Sequence, residues 1–203
     1  MTVYAADTAA SRQLAIFRAH GWRLLLSPGK KPREGFGYAL DNGAWGAHVR
    51  GLPFDEAAFT AHLDHASGAD WCVLPDKVGL GHDSLAYSLG WCDRVSCPQL
   101  LAVQDGVTPD DIASIMVTPI IGVFLGGTTH WKEQWMSRWG AFCRSRSLLF
   151  HVGRVNTRRR LQWAWQAGAT SIDGSGVSRF AIHAGKVAEW IPAIKSQLFL
   201  AVG

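Results

Sequence analysis

SLLFHVGRVNTRRRLQWAWQAGATSIDGSGVSRF, residues 147–180, is the stretch whose reading decides the fold. It opens with an apolar run (Leu148, Leu149, Phe150, then Val152) and breaks at Gly153. A helical segment follows from Asn156 to about Ala167. Asn156 suits an N-cap because its side-chain oxygen can accept a free amide of the first turn, and Gly168 suits a left-handed stop. A short strand then ends on Asp173. Strand, helix and strand in this order imply a parallel pair joined by a right-handed crossover. Asp173 ends its strand just before Gly174-Ser175-Gly176, with flexible backbone and few bulky neighbours predicted beside it, which suits a nucleophile.

The same alternation extends in both directions. Residues 8–20 read as a helix, and Trp22 to Ser27 as a strand leading into an exposed loop of Gly, Pro and Lys. YALDNGAWG places Asp41 after a short strand, and residues 53–66 show a helical apolar period. Strand Trp71 to Leu74 runs on to Asp76; after a helix over 82–94, strand Leu100 to Val103 runs on to Gln104. A helix near 109–115 precedes strand Ile120 to Leu125, which ends at Gly126-Gly127. A Trp-rich helix over 130–144 returns to the opening stretch, and a last helix covers about 184–197. Continuous apolar strands imply burial on both faces. Six or seven such units, with no GxGxxG after the first strand, predict a compact (β/α)8-type TIM barrel in a single domain over 1–203. In such a barrel Asp41, Asp76, Gln104, Gly126, Gly127, Gly153 and Asp173 converge on one mouth. A merely structural barrel would present polar strand ends, but three carboxylates, a glutamine and a double glycine point to catalysis.

The composition narrows the function further. At 203 residues and 48% hydrophobic, the chain can bury a substantial core. The N-terminus MTVYAADTAASRQ lacks the apolar core of a secretory signal, and no run of 18 apolar residues exists, so a soluble, cytoplasmic protein is expected. Cys72, Cys92, Cys97 and Cys143 lie too far apart for a metal knuckle and read as reduced thiols. The eight histidines offer no HExxH spacing, and His62 and His65 read as surface or packing residues. Neither metal nor other cofactor is expected. The net charge of +4 favours a polyanion, with basic knots at Lys30, Lys31 and Arg33 and at Arg154, Arg158, Arg159 and Arg160. Each knot reads equally well as a phosphate contact or as a solvated face.

Taken in order, LDNGAW, LPD, LAVQDG, FLGG and HVGRVNTRRRLQWAWQAGATSIDG resemble the barrel of the queuine tRNA-ribosyltransferases, or tRNA-guanine transglycosylases, and their DNA-acting relatives that place 7-deazaguanines in phage and bacterial DNA. The resemblance runs from about Tyr38 to Gly174. It implies that Asp173 is the nucleophile and Asp41 the general acid/base, with Asn42 and Ala44 departing from the family's D-S-G-G. It implies that Asp76 reads the polar edge of the base, that Gln104 is the family's substrate-binding Val-Gln-Gly glutamine with Asp105 replacing a glycine, and that the Gly126-Gly127 backbone approaches the base. Trp45 and Phe150 fall where the family sandwiches the base, and His151 stands where the family's Gly-Val-Gly turn has no side chain. The family's zinc motif is absent, so a minimal barrel lacking the zinc-binding subdomain is expected, acting on DNA rather than tRNA and in host cytoplasm if phage-encoded.

The implied reaction replaces guanine in a nucleic acid by a 7-deazaguanine such as preQ0. Two carboxylates have opposed duties in it: Asp173 attacks C1′ to form a glycosyl-enzyme, and Asp41 protonates the leaving base. The target base must leave its stack. Two alternatives stay open: an N-glycosidase that finishes with water, and a non-catalytic nucleobase or nucleic-acid binding barrel.

Overall fold

In the computed structural model, which describes residues 1–115 and 119–200, eight parallel strands close into a barrel in sequence order. They are β1 (Thr2–Ala6), β2 (Arg23–Leu26), β3 (Tyr38–Leu40), β4 (Cys72–Val73), β5 (Gln99–Val103), β6 (Ile120–Leu125), β7 (Leu149–Val152) and β8 (Ser171–Asp173). The helices are α1 (Ser11–Ala19), α2 (Ala44–Val49), α3 (Glu56–His62), α4 (Gly81–Leu89), α5 (Pro109–Ile112), α6 (Thr129–Ser145), α7 (Arg158–Gln166), α8 (Ser175–Arg179) and α9 (Ala181–Leu200). This is the expected (β/α)8 fold. Its eighth strand is β1, which pairs with both β2 and β8 and closes the ring. Among the described residues no helix is long and apolar enough to cross a membrane.

The two-residue period of each strand sorts its side chains between two cores. Inside the barrel, Tyr4, Leu25, Ala39, Trp71, Val73, Leu100 and Ala102 pack together. Their neighbours in sequence, such as Val3, Leu24, Leu40, Leu101 and Val103, face outward into the layer beneath the helices. At the N-terminal end of the lumen Tyr4 Oη donates to Asp70 at 2.8 Å, and Arg23 forks onto the same carboxylate. The filled lower lumen separates the space at the C-terminal ends of the strands from an open hollow at the N-terminal ends, lined by Thr2, Tyr4, Arg23 and Asp70.

Two local expectations change. The N-cap of α7 is Thr157, whose hydroxyl accepts from the Arg160 amide, while Asn156 Oδ1 accepts from the Gly176 amide and ties the β7 loop to α8. Gly174 serves close approach rather than flexibility, since a Cβ there would meet Asn156 Oδ1 and the Val155 carbonyl at 2.8 Å. Gly168 takes the expected left-handed turn at φ 84°. All four cysteines are free thiols. His62 is buried, with Nε2 2.8 Å from the Leu26 carbonyl, and so is a packing residue.

Candidate active site

The strand ends enclose a cavity of about 220 Å³, lined among others by Asp41, Trp45, Asp76, Gln104, Gly126, Gly127, Arg154 and Asp173. The ends of β3 to β8 bring these residues together. Asp41 and Gln104 directly follow β3 and β5, Asp76 lies three residues past β4, and Asp173 ends β8.

Asp173, the last residue of β8, has both oxygens held. Oδ2 lies 3.0 Å from His151 Nε2, and Oδ1 accepts from the Arg154 main-chain amide at 3.0 Å. His151 is fully buried, its Nδ1 2.9 Å from Ser171 Oγ and its ring stacked on Phe124 at 4.7 Å. It does not line the cavity; it stands beneath Asp173 and fixes that carboxylate, which corrects its assignment as a base contact. Gly153 beside it must lack a side chain, because a Cβ would meet the Phe124 ring at 3.0 Å and Asp173 Oδ2 at 3.3 Å.

Phe150 requires a second correction. It is 1% exposed and belongs to the outer core. Adjacent strand residues point to opposite faces, so with His151 in the lumen Phe150 must face the helices. The aromatic that lines the cavity along with Trp45 is Phe124, paired with His151 across β6 and β7.

Asp41 accepts a hydrogen bond from Ser27 Oγ at 2.9 Å. Burial pushes its carboxyl up to about 6, and the charge of Asp173 adds to the effect. Asp76 is likewise pushed up to about 6 by burial, with Asp41 adding, against the amides that donate to it. Those donors are Asn42 Nδ2 on Oδ1, at 2.6 Å, and Gln104 Nε2 on Oδ2. Asn42 thus holds Asp76 in place. Its amide also reaches the Leu74 carbonyl and its oxygen accepts from the Ala44 amide. With Nε2 committed to Asp76, Gln104 Oε1 is buried without a partner. An unsatisfied acceptor beside a carboxylate is an invitation to a ligand with several N–H donors.

Gly126 and Gly127 wall the cavity. A Cβ on Gly126 would meet Gln104 Nε2 at 2.9 Å, and Gly127 has φ 73°. Asp105 pins this loop by accepting from the amide and hydroxyl of Thr128, each at 2.6 Å. Trp45 is 45% exposed at the mouth, and Arg154 lies over it while donating to the Gly127 carbonyl.

Beyond Trp45 the cavity continues into a groove of about 970 Å³ across α2, which shares Ser27, Asp41, Asn42, Trp45 and Arg179 with it. Val49, Arg50 and Leu52 also line the groove and are exposed. The basic knots divide. Lys30 and Lys31 are exposed on the β2 loop, whereas Arg33 is paired with Asp7. Arg160 donates to Glu133 at 2.9 Å, Arg159 lies 3.7 Å from the same carboxylate and over Trp163, and Arg158 is exposed. Only Arg154 of that knot lines the cavity. Arg50 and Arg179 escape a reading of the sequence because each is isolated there. So does Lys132 of α6, which is 3% exposed and donates from Nζ to the Gly153 carbonyl; one lysine within an amphipathic helix carries no signal of burial. Among the described residues no three His, Cys, Asp or Glu side chains gather as a metal site. No protein-family model matches the chain, and no curated protein sequence matches it.

Proposed function

We propose that this protein is a base-exchange glycosyltransferase that replaces guanine in a nucleic acid, DNA rather than tRNA, by a 7-deazaguanine such as preQ0. The observation that carries the reading is the meeting of Asp173, Asp41 and the Asp76–Gln104 pair in one cavity. Guanine and its 7-deaza analogues offer a row of ring and amino N–H donors. Asp76 and the unpartnered Gln104 Oε1 are acceptors suited to that row.

The chemistry follows from the two remaining carboxylates. Asp173, steered by His151 and the Arg154 amide, attacks C1′ and forms an ester bond as the C1′–N bond breaks. The bond's electron pair passes to the leaving base, which takes the proton of Asp41. Burial favours that proton's presence near neutral pH, as an acid catalyst needs. The incoming base gives its proton to Asp41, its ring nitrogen attacks C1′, and the ester to Asp173 breaks. Two displacements retain the configuration at C1′. The groove across α2 supports a polymer rather than a free nucleoside, because it continues past the cavity with apolar walls and with Arg50 and Arg179 along it. DNA is favoured over tRNA because the zinc motif of the tRNA enzymes is absent from this sequence.

Incubation with labelled guanine and either duplex DNA or tRNA tests the proposal. Incorporation into DNA is expected. Release of guanine without incorporation would instead identify a glycosidase, and binding without either would identify a binding barrel.

A further inference from the structure

One peptide group joins a buried cation to Asp173. Lys132 Nζ donates to the carbonyl oxygen of Gly153, and the N–H of that same peptide, carried by Arg154, donates to Asp173 Oδ1 at 3.0 Å. The carbonyl and N–H of a trans peptide point in opposite directions, so a cation on one end and a carboxylate on the other both align with its dipole. The local backbone is built for this contact. Arg154 has φ 59°, a conformation uncommon outside glycine, which surrounding structure must hold in place. Lys132 is also an expensive residue to bury, since a hydrophobic side chain would fill the same space without desolvating a charge.

We infer that Lys132 is a positioning residue for glycosyl transfer: its ammonium polarises the Gly153–Arg154 peptide and aims the Arg154 N–H at Asp173, holding the carboxylate toward the cavity. This rests on the reading of Asp173 as nucleophile, but its geometry can be tested without substrate. The cation faces Arg154 and Asp173 from the β7 and β8 ends, Arg160 from α7, Asp105 from the β5 loop and Glu133 from its own helix. Burial, with Arg154 adding, lowers the ammonium to about 7, so this contact is strongest below neutrality and weakens as Lys132 loses its proton.

Lys132→Met keeps length and apolar volume while removing the charge and the donor. In the folded variant the Arg154 amide should exchange with solvent roughly tenfold faster, as expected for loss of a charge-supported hydrogen bond. The wild-type Arg154 amide shift should carry an inflection near pH 7, and the variant should lack it. If the reaction is as proposed, kcat falls while KM stays nearly constant. Should Lys132→Met not fold, the wild type decides: the Nζ resonance of ¹⁵N-lysine-labelled protein and the Arg154 amide should titrate with one midpoint. An unchanged Arg154 amide in the variant, or separate midpoints in the wild type, would overturn the inference. Neither result depends on whether the protein exchanges bases.

Discussion

The guanidinium of Arg154 lies 3.8 Å from the centroid of the Trp45 indole, over the ring face at the cavity mouth. A base stacking on that face must displace the arginine or slide beneath it. Trp45→Ala should therefore weaken free-base binding by roughly 10- to 100-fold, since stacking contributes about 1 to 3 kcal/mol per base. Calorimetric titration with guanine checks this. Unaltered affinity would place the stacking surface elsewhere, with Phe124 the next candidate.

Asp41 supplies a pH signature. With its carboxyl pushed up to about 6, the acid form dominates below that value and is depleted above it. Single-turnover departure of the base should slow as pH rises through about 6. Asp41→Asn should cost on the order of 100- to 10,000-fold and remove that limb of the profile. Asp76 titrates in the same range, so the limb should persist in Asp76→Asn. A limb that vanishes in Asp76→Asn and survives in Asp41→Asn would reverse the two roles.

Salt dependence separates the arginines. Arg50 and Arg179 line the groove, whereas Arg159 and Arg160 are engaged with Glu133 on the outer helix α7. Replacing Arg50 and Arg179 by Ala should reduce the slope of log affinity against log salt by about 2, because each phosphate that loses its cation lowers the slope by about one. The Arg159→Ala, Arg160→Ala pair should change it little. Oligonucleotide titrations at several salt concentrations measure both, and the opposite pattern would move the polymer to α7.

The site also shapes stability. Asp41 and Asp76 are pushed up to about 6 from an ordinary value of about 3.9, so the native state binds their protons more tightly than the unfolded chain. Stability falls as pH rises from about 4 to about 6, and that penalty is complete above this window. Lys132 is lowered to about 7 from an ordinary value of about 10.4, so its contribution rises with pH between those values. Asp41→Asn should thus raise stability at pH 8 by on the order of 1 to 2 kcal/mol, discounted because the carboxyl borders the open cavity. At pH 4 it should be nearly neutral. Chemical unfolding at the two pH values checks this, and equal effects would show that burial does not burden Asp41.

The barrel is legible in the sequence because strand and helix periods alternate cleanly and the strand ends carry unusual residues. Asp41, Asp76, Gln104 and Asp173 lie where a strand C-terminus would place them. β1 is not legible because Thr2–Ala6 carries only Val3 and Tyr4 as bulky apolar residues and so lacks the apolar run that marks strands such as β2, β5 and β6. Phe150 is misleading because a continuous apolar strand conceals which residues face inward; only His151, a polar group needing a partner, fixes the register. Arg33, Arg159 and Arg160 read as free cations because Asp7 and Glu133, their partners, are distant in sequence. Lys132 and Phe124 gain their roles from strands folded beside them, which local pattern cannot supply.

A covalent bond from Asp173 to C1′ would be trapped by mixing the protein with a guanine-containing DNA duplex, quenching in denaturant and identifying the adduct by peptide mass spectrometry. A deoxyribosyl ester is expected on the peptide carrying Asp173, disappearing when excess guanine is added before the quench and never forming in folded Asp173→Asn. An Asp173→Asn protein that still exchanges labelled guanine into DNA would contradict that covalent step.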